Sequence, residues 1–176
     1  THEEELKKVA RKHDIDIFHR SYESSYSEGH DLKVLYEWHD KINFKYVILI
    51  NPCAPFLSTA TIDNFFLAYS RSHHNGLFGV IPKKNYFWNK DGDMITKWPD
   101  GFEVMNTKYV DVTYEAAHCL YASRLSSIAD GNWMGPAPYT KDNPALFELP
   151  EEECFDIDYP WQFKMAEALY GSKNEF

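Results

Sequence analysis

The pattern of apolar and polar positions predicts helices that alternate with strands. Four sets of mainly apolar residues recur at helical spacing, namely Leu6, Val9, Ala10 and His13; Leu32, Leu35, Tyr36 and His39; Ile62, Phe65, Phe66 and Tyr69; and Phe163, Ala166 and Tyr170. Shorter runs predict strands at Ile15–Phe18, Tyr46–Ile50, Gly76–Ile81, Thr113–Tyr121 and Leu146–Leu149. This alternation predicts an α/β fold with a mostly parallel sheet flanked by helices.

Turn-forming and helix-capping residues lie between the predicted helices and strands. The run Tyr46–Ile50 is continuously apolar, which is typical of a strand covered on both faces. Pro52 and Pro55 then end it, since proline cannot donate to a ladder. The Lys90–Asp93 segment predicts a hairpin turn. Polar loops are predicted at 21–28 and 129–144, and the last helix is expected to begin near Asp158 and end at Gly171; helix caps are expected at Ser58 or Thr59.

Composition narrows the classes of function. The chain has 176 residues, of which 44% are hydrophobic, so we expect one folded domain over 1–176. Its net charge of −9 argues against binding of a nucleic acid polymer but permits a nucleotide bridged through a metal ion. The longest apolar stretch is too short to span a membrane and no signal peptide is visible, so a cytoplasmic protein without membrane contact is expected.

The three cysteines predict no disulfide or metal site. Cys53, Cys119 and Cys154 are widely spaced, and the expectation is buried free thiols in a reducing compartment. Local motifs for P-loop, dinucleotide-binding, zinc-protease and serine-hydrolase chemistry are absent from the sequence.

Two carboxylates near the C-terminus are candidate metal ligands. In an extended segment, Asp156 and Asp158 project to the same side while Ile157 faces the core. Magnesium needs only one or two protein carboxylates, because it retains several waters. The alternative is structural, with Asp158 as a helix N-cap and Asp156 merely solvated.

Other polar residues follow predicted strands. Asn51 follows Tyr46–Ile50 and is a candidate ligand group, although it also suits a helix-entry turn. Lys83 and Lys84 follow the next strand and precede an aromatic run, where they can bind a phosphate or remain a solvated pair. His118 alternates within a strand and is interpreted as a core residue.

Several of these segments together resemble the acylneuraminate cytidylyltransferase family, which makes CMP-sialic acid and related CMP-sugars. The strand and turn from Tyr46 to Phe56 are similar to its hydrophobic strand and Q-P-T-S-P-L-R motif, and Phe155–Asp158 is similar to its D-I-D motif. The stretches Val80–Trp88 and Thr113–Tyr121 resemble segments between these motifs. The order and spacing agree along nearly the whole chain.

The resemblance implies a Rossmann-like nucleotide-diphospho-sugar transferase fold with a small β-rich dimerisation arm over about 85–122. It implies transfer of CMP from CTP to an acidic sugar with release of pyrophosphate, assisted by Mg²⁺. Asp156 and Asp158 would hold the metal, Arg20 would bind the nucleotide, and Asn51 and Lys83 would bind the sugar. A homodimer is the implied assembly, and no residue is assigned a catalytic role.

The sequence also departs from the family. The family's basic, glycine-containing nucleotide loop has no counterpart, so the fold is expected to be N-terminally truncated. Ala117-His118 stands where Asn-Gly is usual. The alternative function is therefore a non-catalytic paralogue that serves as a dimerisation or sugar-binding module. A guanylyltransferase acting on mannose shares the fold but does not predict D-I-D at this position.

Overall fold

The structure is a computed structural model, and it describes residues 1–26, 31–135 and 143–173. Within these residues it has six α-helices, α1 Glu4–Lys12, α2 Tyr22–Ser25, α3 Leu32–Leu35, α4 Thr59–Arg71, α5 Leu125–Ala129 and α6 Pro160–Lys173. Four strands accompany them, β1 Tyr46–Ile50, β2 Gly76–Lys83, β3 Thr113–Arg124 and β4 Ala145–Glu148. Short 3₁₀ turns occupy Glu37–Asp40, Thr107–Tyr109 and Glu151–Glu153.

The described strands form one sheet in the order β1-β3-β2-β4. Asn51 N donates to Cys119 O at 2.9 Å and Leu125 N donates to Lys45 O at 3.0 Å. As the residue numbers rise along β1 they fall along β3, so these two strands are antiparallel. The α/β class predicted from the sequence is confirmed with a mixed sheet, in which β3 lies between the two strands that α4 connects.

The chain divides into two compact units. The first contains Thr1–Ile48, Ser72–Leu77 and Ala122–Ala145, and the second contains Leu49–Arg71, Phe78–Tyr121 and Leu146–Phe176. In the first unit the Tyr36 and Trp133 rings stack with centroids 4.9 Å apart. There, a Cβ on Gly76 would lie 2.4 Å from Met134 Cα, so only glycine permits this backbone approach.

The core of the second unit forms around α4. Ser58 Oγ accepts from Thr61 N at 3.2 Å and caps this helix, as its sequence predicts. Phe65 is fully buried and packs edge-to-face on Phe147 with ring centroids 5.4 Å apart. Burial of one such side chain stabilises the fold by about 1.5–3 kcal/mol. Leu120 of β3 is equally buried, so the helix and the sheet share this core.

Two local predictions about strands are wrong. Ile15–Phe18 forms no strand: Asp14 takes φ +53 after α1, and Phe18 O accepts from the Thr1 ammonium at 2.6 Å rather than from a neighbouring strand. β1 is not covered on both faces, since Tyr46 is 53% and Ile50 is 44% exposed. β1 is the last strand on its side of the described sheet, so it has a strand neighbour at only one edge.

The last helix also differs from its prediction. Of the three residues expected to pack, Ala166 is buried whereas Phe163 and Tyr170 are exposed. The helix continues past Gly171 to Lys173. Gly171 is not among the glycines with positive φ, and a glycine ends a helix by adopting that conformation.

The polar segments contain more helix than expected. Tyr22–Ser25 is a helical turn within the loop predicted at 21–28, and the second predicted helix is interrupted between Leu35 and Glu37. The rest of that loop from residue 27 and much of the 129–144 loop, residues 136–142, lie outside the described residues. None of the described helices is both long and apolar enough to cross a membrane.

Candidate functional site

Asn51 is fixed where β1 ends. Its Nδ2 donates to His118 O at 3.0 Å, and its Oδ1 accepts from Cys53 N at 3.0 Å. An asparagine side chain that accepts from the backbone two residues later stabilises a tight turn. The proline-containing turn after β1 is therefore held to β3 through one side chain.

Asp156 lies beside this side chain although the two residues are 105 positions apart. Asn51 Nδ2 is 3.5 Å from Asp156 Oδ1, a long contact compared with an ordinary hydrogen bond. Ile157 N donates to Cys53 O at 3.0 Å and so fixes the segment that carries Asp156. The half-buried Asp156 carboxylate thus keeps capacity for a further ligand.

Asp158 is exposed and does not cap α6. The helix begins at Pro160, and Gln162 Oε1 accepts from the backbone N–H groups of Asp158 and Tyr159 at 2.8 and 2.7 Å. Gln162, the third residue of the helix, therefore reaches back to the N–H groups that precede the helix, as the third residue of a capping box does. The Asp158 carboxylate has no hydrogen bond or ion pair with the described residues. We call Asn51, His118 and Asp156 the Asn51 cluster, and Asp158 follows it two residues along the chain.

The donor set of the Asn51 cluster fits Mg²⁺ better than a metal held entirely by protein. The described residues contain no group of three or more His, Cys, Asp or Glu side chains that could hold a metal. Nearby Glu153 is already used, because it accepts from Ser58 N at 2.9 Å and Ser58 Oγ at 3.1 Å. Two carboxylates are enough for Mg²⁺, whereas a structural zinc site needs four ligands.

Lys83 is neutralised by two acids. Its Nζ lies 3.4 Å from Glu115 Oε2 and forms a close hydrogen-bonded ion pair with Glu151. The hydrogen bond to Glu151 raises the pKa of Lys83, and burial opposes this shift. The sequence did not predict these pairs, since Glu115 and Glu151 are distant along the chain.

A groove of about 760 Å³ lies next to Lys83. We call it the Lys83 groove, and it is lined by Lys83, Asn85, Phe87, Trp88, Ile95, Thr96, Lys97, Asp111, Thr113, Tyr114 and Glu115. Trp88 and Tyr114 are roughly half exposed, so aromatic surface is open to a ligand. Tyr114 OH donates to Glu148 at 2.6 Å, and this hydrogen bond raises the pKa of Tyr114.

His118 was wrongly interpreted as a core residue. It is exposed and takes φ +53 within β3, a conformation that glycine adopts without strain. Its Nδ1 lies 3.1 Å from Tyr121 OH, and its carbonyl accepts from Asn51. The available signal was the Ala117-His118 pair at the position of the family's Asn-Gly, which places a glycine-type conformation at this point.

The cysteines only partly match their prediction. All are free thiols, and Cys119 and Cys154 are buried with their sulfurs 3.8 Å apart, whereas Cys53 is exposed. Burial raises the pKa of Cys154 to about 12 and also raises that of Cys119. These two thiols are therefore neutral packing groups behind the Asn51 cluster.

Arg20 belongs to the other unit and is held locally. Its Nε donates to Ser24 Oγ at 3.0 Å, and its guanidinium also donates to Ser24 O. Ser24 is fully buried and donates to Leu35 O at 3.1 Å. These contacts give Arg20 a structural role in joining α2 to α3, and a nucleotide-binding role for it stays a prediction.

Comparison with known proteins supports the fold. No protein-family model matches the chain. Over 186 residues it is 23% identical to post-translational flagellin modification protein B of Campylobacter coli, with 99% of this chain and 76% of that protein covered. Its structure is similar to that of 4-diphosphocytidyl-2C-methyl-D-erythritol synthase from Anaerococcus prevotii DSM 20548, with a TM-score of 0.60, 12% identity and coverage of 97% and 74% of the two chains. The chain thus has the α/β fold of that synthase.

Proposed function

We propose that this protein is a nucleotidyltransferase of the cytidylyltransferase type that transfers CMP from CTP to an acidic sugar, sialic acid or a relative, and releases pyrophosphate. The observation that carries the proposal is the meeting of Asn51 and Asp156 across 105 positions. These are the residues that the resemblance assigns to sugar and metal binding.

The two similar proteins support different parts of this proposal, the nucleotide and the sugar. The solved structure is that of a synthase whose named product contains a diphosphocytidyl group. The curated relative is named for flagellin modification, which is compatible with a pathway that makes sugars for a surface structure. Such an enzyme would act in the cytoplasm, where CTP is made.

Asp156 and Asp158 would hold Mg²⁺, and Asn51 would orient both the Asp156 carboxylate and the sugar. The ion would supply charge neutralisation for a transferring phosphoryl group. Asn51 is suited to this role because its amide is already fixed by His118 O and Cys53 N. In CTP-dependent transfer, positioning and charge stabilisation carry most of the catalysis, which matches a site built from fixed polar groups.

The Lys83 groove would receive the sugar. Its aromatic surfaces suit the apolar face of a sugar ring, and Asn85 and Thr96 lie among its polar lining residues. Lys83 would contact the sugar carboxylate only by exchanging one of its acidic partners, Glu115 or Glu151. Its contribution to affinity is therefore expected to be modest.

The region 85–122 would form a homodimer interface. Within it, large apolar side chains are exposed, among them Ile95 and Val104 at 68% each and Met105 and Tyr109 at 55% each. Exposed apolar patches of this kind mark interaction surfaces in soluble proteins. Sedimentation of the wild type and of Val104→Asp would test this, with a shift of the variant to monomer expected.

The proposed reaction is tested by CTP-dependent pyrophosphate release with sialic acid and related acids. We expect release that requires both Mg²⁺ and an acidic sugar, and none with neutral sugars. Saturable sugar binding without turnover or CTP binding would favour the alternative, a non-catalytic sugar-binding module. Absence of both turnover and Mg²⁺-dependent CTP binding would contradict the proposal.

A further inference from the structure

Arg124 at the end of β3 forms no ion pair with any described residue. Its Nε is the only buried side-chain nitrogen or oxygen without a hydrogen-bond partner among the described residues. Its guanidinium carbon lies 5.6 Å from the centre of the Tyr46 ring, so its contact is with a π face and not with an acid. Leaving a buried charged donor without an acceptor is unfavourable, so an incoming acceptor would be bound there.

The pocket that Arg124 lines is cationic in a strongly acidic protein. It has a volume of about 240 Å³ and is lined by Phe44, Lys45, Tyr46, Arg124, Leu125 and Ser126. The lining includes two cations and no acid, although the whole chain carries a net charge of −9. Neither Lys45 nor Arg124 forms an ion pair with a described residue.

Lys45 is held in place by the backbone around it. Leu125 N donates to Lys45 O at 3.0 Å, which ties the start of β1 to the residue after Arg124. This hydrogen bond brings Lys45 next to the end of β3, and both cations line the same pocket. An ammonium and a guanidinium beside one pocket can bind one anion from two directions, and a guanidinium matches the planar oxygens of a carboxylate or the face of a phosphate.

We propose that this pocket binds a small oxyanion, a metabolite bearing a phosphate or a carboxylate group, through Arg124 and Lys45. The site is separate from the Asn51 cluster, since Lys45 precedes β1 and Asn51 follows it. Its volume suits one anionic group with a short substituent that contacts the rings of Phe44 or Tyr46. The proposal stands independently of the proposed transfer reaction.

The buried Arg124 Nε–H is a direct reporter for the test. The ¹H–¹⁵N spectrum of arginine Nε groups would be recorded while inorganic phosphate, or in a second arm acetate, is added at an ionic strength held constant with sodium chloride. Loss of a signal in Arg124→Lys assigns the reporter. We expect this signal to shift with saturation, and Lys45→Ala to weaken the binding about tenfold.

The variants keep the result interpretable. Lys45 is exposed and its substitution leaves its backbone hydrogen bond intact, so Lys45→Ala is expected to fold even if Arg124→Lys does not. Arg71→Lys, an exposed arginine on α4, is the matched control and should bind as wild type does. A phosphate response without an acetate response would assign the site to phosphates, and the reverse to carboxylates. Equal, unsaturated shifts of all arginine signals, or unchanged affinity in Lys45→Ala, would overturn the proposal.

Discussion

The Asn51 cluster and the Lys83 groove are both assembled from distant parts of the chain, but they differ in what they leave for a ligand. In the Asn51 cluster the Asn51 amide positions the backbone, while the carboxylate of Asp156, and that of Asp158 two residues later, retain free acceptors. In the Lys83 groove the charged group itself is used, since Glu115 and Glu151 already neutralise Lys83.

This difference indicates which predicted residues can carry chemistry. A carboxylate without a protein cation must bind water or a metal ion, whereas a lysine between two glutamates loses one partner for each anion that it binds. The family resemblance assigns Lys83 to sugar binding and Asp156 to metal binding. Their surroundings make Asp156 the residue whose loss should matter more.

Removal of the Asp156 charge should have the largest effect. We expect Asp156→Asn to lower CTP-dependent pyrophosphate release by more than about 100-fold, since loss even of an outer partner of a metal ligand costs about 10–100-fold. Asp158→Asn should also reduce release, and Asp63→Asn on the exposed side of α4 should not. Similar activity in Asp156→Asn and Asp63→Asn would remove the distinction between the two regions.

Asn51→Ala should have the next largest effect. The variant loses the side-chain bonds to His118 O and Cys53 N and the contact with Asp156, so metal affinity should fall about 10–100-fold. Stability should fall by about 1–3 kcal/mol in urea unfolding. Asn64→Ala, on the exposed surface of α4, is the control. Loss of stability without loss of metal affinity would reduce Asn51 to a turn residue.

Lys83→Met should have a smaller effect on affinity than either change in the Asn51 cluster. We expect the KM for the acidic sugar to rise less than about tenfold, because exposed ion pairs contribute about 0–1 kcal/mol. The raised pKa of Lys83 means that its ion pairs stabilise the fold fully below the unfolded-state pKa and are lost as pH rises through the folded-state pKa.

The pH dependence of unfolding checks this sign. The stability difference between wild type and Lys83→Met should be constant at neutral pH and shrink above pH 10.5, the ordinary value for lysine. Lys84→Met is the neighbouring control, because Lys84 Nζ lies 3.4 Å from Lys108 O and forms no ion pair with a described residue. If Lys83→Met raised the KM for the acidic sugar more than Asn51→Ala does, the ranking of the two regions would be reversed.

The thiols around the Asn51 cluster should differ only in their rate of modification. Cys53 is exposed and should react quickly with iodoacetamide, while Cys119 and Cys154 should react only on unfolding. Burial and the pKa of Cys154 at about 12 keep that sulfur protonated at neutral pH. Mass spectrometry of tryptic peptides would locate the label, and equal labelling of all three cysteines would contradict the packing described behind the cluster.

Much of the fold could be predicted from hydrophobic periodicity and helix-capping residues. The helix at Thr59–Arg71 and the strands at Tyr46–Ile50 and Gly76–Lys83 are specified by local patterns, including the Ser58 cap. Ile15–Phe18 was wrong because alternation predicts a strand only where a partner is available to pair with it. The exposed faces of α6 were also missed, since spacing identifies an apolar stripe but not what covers it.

The candidate site could be predicted only in part from the sequence. Asn51 and Asp156 were predicted from position after a strand and from i, i+2 spacing, but their proximity required the fold. The ion pairs of Lys83 depend on residues far along the chain, which no local pattern contains. The positive φ of His118 had a local signal in the Ala117-His118 pair, which stands where the family has Asn-Gly. The metal-binding role of Asp156 and Asp158 stays a prediction from their chemistry.

The central claim is that the Asn51 cluster binds a divalent cation, and Mn²⁺ paramagnetic broadening tests it most directly. In the wild type, substoichiometric Mn²⁺ should broaden the Asn51 side-chain amide and the Ile157 amide before other signals, because these groups lie next to Asp156. The effect should disappear in Asp156→Asn and persist in Asp91→Asn, a matched change in the exposed Lys90–Asp93 turn. Broadening centred on the Lys90–Asp93 turn or on Glu151–Glu153, with the Asn51 amide unaffected, would contradict the account.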